Sequence, residues 1–274
     1  YDFALRDPAF RADARDYTNL MRVHIQLGNH NAVEEAFLVM RERNIFPDLV
    51  TYTVVIAMYG KIGNLNMVKE KFAEMKLWGL MPDTLLYCAL VEAYSQLGHA
   101  KEAERYIEDM ENAGISLKIE IFISLIRGYG IIGHVKDAER IFQLMQLKLF
   151  YPERRSYSAL MDAYTRDEDV EHAIQVFDNM ISIGIEPTDK SLARLLIACE
   201  KKNMLAEAIE TIEKLESKSL KFGTKTLISF REWLEKLGLD KEVERLSKEI
   251  SKRMYRKTFF LDQYSDVPAT HSGL

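Results

Sequence analysis

Apolar residues recur along this chain with helical spacing, twice within each short stretch. In residues 49–83 the first set of apolar side chains is Tyr52, Val55, Ile56 and Tyr59. After the segment GKIGN the helical spacing resumes at Leu65, Val68, Phe72 and Met75. Because side chains three and four residues apart lie on one face of an α-helix, the stretch predicts a hairpin of two amphipathic helices.

The same pattern returns every 35 residues without insertion or deletion. The units are 14–48, 49–83, 84–118, 119–153, 154–188 and 189–223, which we number repeats one to six. One column of these units holds Tyr17, Tyr52, Tyr87, Phe122, Tyr157 and Leu192. Another holds Met40, Met75, Met110, Met145, Met180 and Leu215. Recurrence at helical spacing is typical of packed helices, so we interpret both columns as core and not as a cofactor site.

Turn-forming residues fall at matching places in the units. Between the two helices of a hairpin stand Gly28, Gly63, Gly98 and Gly133. Near the end of the second helix stand Gly79, Gly114 and Gly184 in three of the repeats. A few residues further on, at one shared place in four of the repeats, stand Pro47, Pro82, Pro152 and Pro187. These residues predict where each helix stops. Short polar residues suited to N-caps of the first helices are Asp16, Thr51, Ser156 and Ser191.

A two-helix hairpin cannot cover its own apolar face, so successive hairpins must stack. The expected fold is therefore all-α, a right-handed superhelical α-solenoid of 35-residue helical hairpins. We expect a lead-in at 1–13, six repeats over 14–223, a basic capping helical hairpin at 224–257 and a tail at 258–274.

Composition narrows the function classes. The chain has 274 residues, 47% of them hydrophobic, and a net charge of −5, which argues against nucleic-acid binding through bulk electrostatics. Residues 218–257 nevertheless carry twelve Lys and Arg against six Asp and Glu. No apolar run approaches the roughly 18 residues that cross a membrane, so no membrane association is expected. Cys88 and Cys199 stand apart from any Cys or His cluster, so we expect no metal and no cofactor.

The strict unit LVTYTVVIAMYGKIGNLNMVKEKFAEMKLWGLMPD resembles the pentatricopeptide repeat (PPR) family, over residues 14–223. The rival tetratricopeptide repeat has 34 residues, with an early Trp and Gly that this unit lacks. The PPR resemblance implies an RNA-binding solenoid of plant and other eukaryotic organelles, in which a few side chains of each repeat read one nucleotide.

The resemblance also implies which side chains read a base: the fifth residue of a repeat together with its last. The pairs with a polar group at both places are Thr18 with Asp48, Thr53 with Asp83, Cys88 with Lys118, and Ser158 with Thr188, and only the first two match the family's code. In the family a Thr and Asp pair favours guanine. The second residue of a repeat packs against base faces, and here Val50 and Leu85 are apolar at that place. Repeat two is therefore the one complete site expected.

A further column of the family reaches the RNA backbone. The cations in it are Lys61, Arg166 and Lys201, and we add the basic residues of the capping hairpin, Lys252, Arg253, Arg256 and Lys257. Because phosphate contacts supply most non-specific affinity, three cations in six repeats predict weak binding unless the cap contributes.

The resulting hypothesis is a single-stranded RNA-binding protein of organellar RNA metabolism (splicing, stabilisation, processing or translation). It would act by binding and not as an enzyme, since no deaminase, nuclease or phosphate-loop signature is present in the sequence. The alternative is a scaffold subunit of a larger organellar ribonucleoprotein that contacts mainly protein. Self-association into a homodimer through the open solenoid ends is compatible with either. We expect import into an organelle, with plastid favoured over mitochondrion, by a transit peptide not present in this chain.

Overall fold

The computed structural model describes residues 12–218 and 223–248, and all secondary structure in those residues is helical. The first helices of the hairpins are α1 Ala14–Gln26, α3 Leu49–Lys61, α5 Thr84–Gln96, α7 Ile119–Ile131, α9 Arg154–Arg166, α11 Asp189–Lys202 and α13 Thr224–Lys236. The second helices are α2 His30–Glu42, α4 Leu65–Leu77, α6 Ala100–Asn112, α8 Val135–Leu147, α10 Val170–Ser182 and α12 Leu205–Ser217. Helical residues 240–248 follow α13. The predicted tail and the cations Lys252, Arg253, Arg256 and Lys257 lie outside the described residues.

The residue directly before each first helix is its N-cap. Asp48 caps α3, and its Oδ1 accepts a hydrogen bond from the backbone N–H of Thr51 over 2.8 Å. The predicted caps Asp16, Thr51, Ser156 and Ser191 are therefore wrong, because these residues lie in the first helical turn, three residues after the true caps. Short polar residues suit both places, since a side chain at the third helical position also bonds back to the cap.

The two recurrent columns form the core, as the sequence predicts. The five methionines of the second column are fully buried, and the aromatic residues of the first column are all below one tenth exposed. Full burial of one such side chain stabilises the fold by roughly 1.5 to 3 kcal/mol. The columns therefore contribute to hydrophobic packing of the core.

The chain divides into two compact units, Tyr1–Asp167 and Glu168–Leu274. In the first unit, the first helices α1, α3, α5, α7 and α9 pack against one another in succession, and α1, α3, α5 and α7 each pack against the second helix of their own hairpin. In the second unit, α11 packs against α10, α12 and α13. No helix among the described residues is long and apolar enough to cross a membrane.

Small residues let neighbouring first helices of the first unit approach very closely. A Cβ atom placed on Gly60 of α3 would lie 2.5 Å from the Cβ of Ala93 in α5. Gly128 of α7 stands in the same relation to Ser95 of α5, with a distance of 2.7 Å. Gly130 of α7 likewise meets Ala163 of α9 at 2.7 Å. The distance between successive first helices is thus set by backbone contact.

This contact predicts an inverted response to a glycine substitution. Inside a helix, Gly→Ala ordinarily stabilises by about 1 kcal/mol. We expect Gly60→Ala instead to lower the free energy of unfolding by about 1 to 3 kcal/mol, because the added methyl group forces α3 and α5 apart. Urea unfolding followed by circular dichroism measures the change. Ala57→Gly in the same helix is the control for propensity alone, and a Gly60→Ala variant more stable than wild type would contradict the close approach.

Candidate nucleic-acid interface

Repeat two presents a half-buried polar pair with exposed apolar side chains beside it. The Thr53 hydroxyl donates a hydrogen bond to the Leu49 carbonyl oxygen over 2.8 Å, which leaves its oxygen lone pairs as acceptors. Asp83 caps α5 by accepting from the Leu86 backbone N–H over 2.9 Å. Val50 is 47% exposed and Leu85 59% exposed, so both apolar side chains face solvent at the places predicted for base contact.

The identical Thr and Asp pair of repeat one has a different environment. Thr18 is only 3% exposed; its hydroxyl lies 2.8 Å from the Ala14 carbonyl oxygen and 2.8 Å from the Thr51 hydroxyl. The Thr51 hydroxyl in turn donates to Asp48 Oδ1 over 2.7 Å. The pair is therefore joined inside the protein through Thr51. In repeat two the equivalent residue is Leu86, which is buried and has no hydroxyl.

Repeat three places a thiol and an ammonium group in the predicted pair. Burial raises the pKa of the Cys88 thiol above its usual range; Lys118 opposes the shift, and Glu120 and Asp83 add to it. The thiol is therefore neutral at physiological pH and offers only a weak hydrogen bond. Lys118 precedes α7 and makes no side-chain bond to that helix.

Repeat four offers no comparable pair. Ile123 is fully buried at the first reading place, and Glu153 stands at the second. In the base-packing column, the Arg155 guanidinium lies 3.5 Å from the Glu120 carboxylate and 3.8 Å from that of Glu153. Two acidic side chains thus surround one cation on this stretch of the surface.

The predicted pair of repeat five lies in two different units. Ser158, in the first unit, has a buried hydroxyl oxygen without a hydrogen-bond partner among the described residues. Thr188, in the second unit, caps α11 and accepts a bond from the Ser191 backbone N–H over 3.1 Å. In repeat six, Ala193 and Gly223 carry no polar side-chain group.

The predicted phosphate contacts lie at equivalent helix ends. Lys61, Arg166 and Lys201 are exposed and stand in the last turns of α3, α9 and α11. None of the three forms an ion pair in the part of the chain that the structure describes. A cation at a helix C-terminus is favoured by about 0.3 to 1 kcal/mol, so this column also has a purely structural reason to be basic.

Sequence reasoning missed several residues that shape this surface. It did not find that Asp48 and Asp83 are helix caps as well as predicted reading residues. The available signal was an acid directly after Pro and directly before a helical pattern. It also missed the hydrogen bond between Thr18 and Thr51 and the ion pair of Glu120 with Arg155. Each of these contacts joins two neighbouring repeats, so the residue pattern within one repeat does not predict it.

The repeat geometry agrees with known sequence families. The family model described as "Pentacotripeptide-repeat region of PRORP" matches residues 98–236, more than half of the chain. The chain belongs to the pentatricopeptide repeat family. Models of the PPR domain and of the single PPR repeat match residues 5–62 and 50–80.

Two Arabidopsis thaliana PPR proteins are similar to parts of the chain. Pentatricopeptide repeat-containing protein At1g19525 is 33% identical over 96 residues, 35% of this chain and 30% of that protein. Pentatricopeptide repeat-containing protein At1g07590, mitochondrial, is 28% identical over 116 residues, 40% of this chain and 22% of that protein. The chain therefore spans a third or less of the length of these relatives.

Solved PPR structures share the fold. The crystal structure of PPR10 from maize has a TM-score of 0.73 and 24% identity, covering 92% of this chain and 36% of PPR10. PPR10 in complex with an 18-nt psaJ RNA element has a TM-score of 0.55 and 18% identity, covering 90% of this chain and 45% of that one. At these identities the likeness establishes the α-solenoid fold of PPR proteins.

The cap role of Asp83 predicts a stability effect separate from any ligand. We expect Asp83→Ala to lower the free energy of unfolding by about 1 kcal/mol, because the Leu86 N–H loses its acceptor. Asp83→Asn and Asp83→Ser keep a capping oxygen and are expected to stay within a few tenths of a kcal/mol of wild type. Urea unfolding of the three variants tests this. Equal stability of Asp83→Ala and Asp83→Asn would show that the cap bond contributes nothing.

Proposed function

We propose that this PPR protein binds single-stranded RNA along the exposed side of its first helices, reads a guanine at repeat two, and acts by binding and not by catalysis. The observation that carries the proposal is the pair Thr53 and Asp83 beside the exposed Val50 and Leu85. The other repeats lack this combination of open apolar contacts and available polar atoms. The known partner of PPR10, an 18-nt RNA element, supports the same ligand class.

The hydrogen bonds of the pair favour guanine on chemical grounds. Because the Thr53 hydroxyl gives its proton to the Leu49 carbonyl, it faces a ligand as an acceptor, and the Asp83 carboxylate is also an acceptor. Guanine carries two neighbouring donors, N1–H and N2–H, on its Watson–Crick edge. The other three bases alternate a donor with acceptors there, so one of the two protein acceptors would oppose a lone pair.

Electrostatics predicts modest affinity with a shallow dependence on salt. The chain carries a net charge of −5, and Lys61, Arg166 and Lys201 are the cations of the predicted backbone column in the described residues. Three phosphate contacts to a single strand correspond to a slope of about −2 in a plot of log affinity against log salt. We further propose an organellar location, for which the mitochondrial relative gives support, with plastid as the other candidate.

The test is binding of the full chain to short single-stranded RNAs that differ at one guanine, titrated with salt. We expect Thr53→Val with Asp83→Asn to reduce the guanine preference by about 5-fold to 100-fold, since a good paired base contact is worth about 1 to 3 kcal/mol. Asn is chosen because it retains the helix cap, so a loss cannot be attributed to unfolding.

The matched control lies in repeat one. Thr18→Val with Asp48→Asn makes the same chemical change in a pair whose threonine is buried and whose two members are joined through Thr51, and we expect the guanine preference to stay within about 2-fold. Equal losses in both double variants would contradict readout at repeat two. Absence of RNA binding at low salt would overturn the proposed function itself.

A scaffold role is the second candidate, favoured by large apolar side chains on the surface. The rings of Phe46 and Trp78 lie 5.6 Å apart, and both are more than half exposed. They stand at the ends of successive hairpins, where Leu149 and Tyr151 are also exposed two repeats later. Exposed apolar groups of this size are typical of protein interaction sites.

The two candidates separate in a comparison of complexes recovered from organelle extract. The scaffold role predicts that Phe46→Ser with Trp78→Ser loses a defined set of bound proteins, whereas Thr53→Val with Asp83→Asn retains them. The RNA-binding role predicts that the second variant loses bound RNA and the first does not. Loss of the same proteins from both variants after nuclease treatment would contradict an independent scaffold surface.

A further inference from the structure

Repeat four departs from repeat two at every place where a nucleotide would be held. Its base-packing residue is Glu120, its reading residues are Ile123 and Glu153, and its backbone-column residue is Ile131. Ile123 is fully buried and carries no polar side-chain atom, so it cannot bond to a base edge. Ile131 is half exposed and apolar, so it cannot neutralise a phosphate. Four independent positions thus disfavour a ligand in one repeat.

The space for a base is occupied by protein. In repeat two, the base would lie between Val50 and Leu85, the packing residues of successive repeats. The equivalent residues for repeat four are Glu120 and Arg155, and their charged ends are 3.5 Å apart. A base inserted between two side chains needs a van der Waals separation of about 3.5 Å on each of its faces. The ion pair would therefore have to open before a base could enter.

The charge around this ion pair also opposes RNA. Arg155 is shared between the carboxylates of Glu120 and Glu153, at 3.5 and 3.8 Å, so the three side chains carry a net negative charge. Each of the three is about half exposed, which makes the pair weak, and its effect is to raise the cost of base binding without forbidding it. Arg127, one helical turn beyond Ile123, is exposed and without an ion pair in the described residues, so the RNA backbone retains one cation on this helix.

We propose that repeat four is a spacer, over which the RNA backbone passes while its base is neither packed nor read. The inference rests on the proposed RNA-binding function and specifies the RNA sequence that this function would select. The ligand has a guanine at repeat two, and two nucleotides away, at repeat four, it can have any base or no base at all. Glu120 and Arg155 are the residues that close the base space, and Ile123 and Glu153 remove the reading pair.

Scanning with abasic nucleotides tests the spacer directly on the wild-type full chain. Single-stranded RNAs with one guanine receive an abasic site at the guanine or two nucleotides from it on either side. We expect the abasic site at the guanine to weaken binding by about 5-fold or more. The sites two nucleotides away should change the affinity by less than about 2-fold, since neither position then has a base contact to lose.

The outcomes distinguish this inference from the function beneath it. A loss of about 5-fold or more at one of the outer sites, with the guanine effect intact, overturns the spacer and leaves the proposed function standing. Absence of any guanine effect, or of binding, overturns the proposed function and the spacer with it.

A gain of readout provides the complementary test. The variant Glu120→Val, Ile123→Thr, Glu153→Asp and Arg155→Leu copies the four residues of repeat two into repeat four. We expect it to acquire a second guanine preference of about 5-fold or more, two nucleotides from the first. Glu120→Val with Arg155→Leu alone is the control that opens the space without a reading pair, and it should gain affinity for any base there. A four-residue variant with wild-type circular dichroism but no new base dependence overturns the proposal.

Discussion

The close contact between successive first helices is the constraint on which the rest of the first unit depends. Where Gly60 meets Ala93 and Gly130 meets Ala163, backbone lies against backbone, and no side chain can rearrange to absorb an error. Packed interiors have a density close to that of crystals and low compressibility, so such contacts fix the distance from one hairpin of the first unit to the next. That distance is also the distance between successive polar pairs on the exposed side. Under the proposed function, evenly spaced hairpins are needed to match the even spacing of nucleotides along an RNA strand.

On that regular scaffold the surface is uneven. Two repeats with the same Thr and Asp pair differ because Thr51 bonds to both members of one pair, whereas Leu86 leaves the other available. A third repeat carries an ion pair where apolar side chains stand elsewhere. Under the proposed function, the regular spacing would set where a nucleotide lies, and the local hydrogen bonds and charges would decide whether it is held there.

Much of the fold could be predicted from the sequence, because the helical spacing of apolar residues and the 35-residue repeat are both visible in the residue types alone. The buried methionine and aromatic columns follow from that pattern. The caps Asp13 and Asp48 were misplaced by three residues, onto Asp16 and Thr51, since Asp and Thr are equally suited to both ends of the first helical turn. The link from Thr18 to Thr51 and the pair of Glu120 with Arg155 could not be predicted, since each depends on how side chains from neighbouring repeats orient. For the candidate site, the sequence therefore predicts positions, but it could not predict which of their side chains are available for a contact.

The cap role of the last residue in a repeat limits which side chains can be exchanged there. Asp48, Asp83 and Thr188 each begin the next helix with a short side-chain oxygen. Asp, Asn, Ser and Thr satisfy that requirement, whereas apolar residues and Lys leave the helix start without its acceptor. The need to cap a helix thus restricts which residue types can stand at this position and contact a ligand. At the last position of a repeat, substitutions among these four residue types keep the helix cap. Lys118 and Gly223 stand at this position without a side-chain cap bond, so their repeats lack that stabilising interaction.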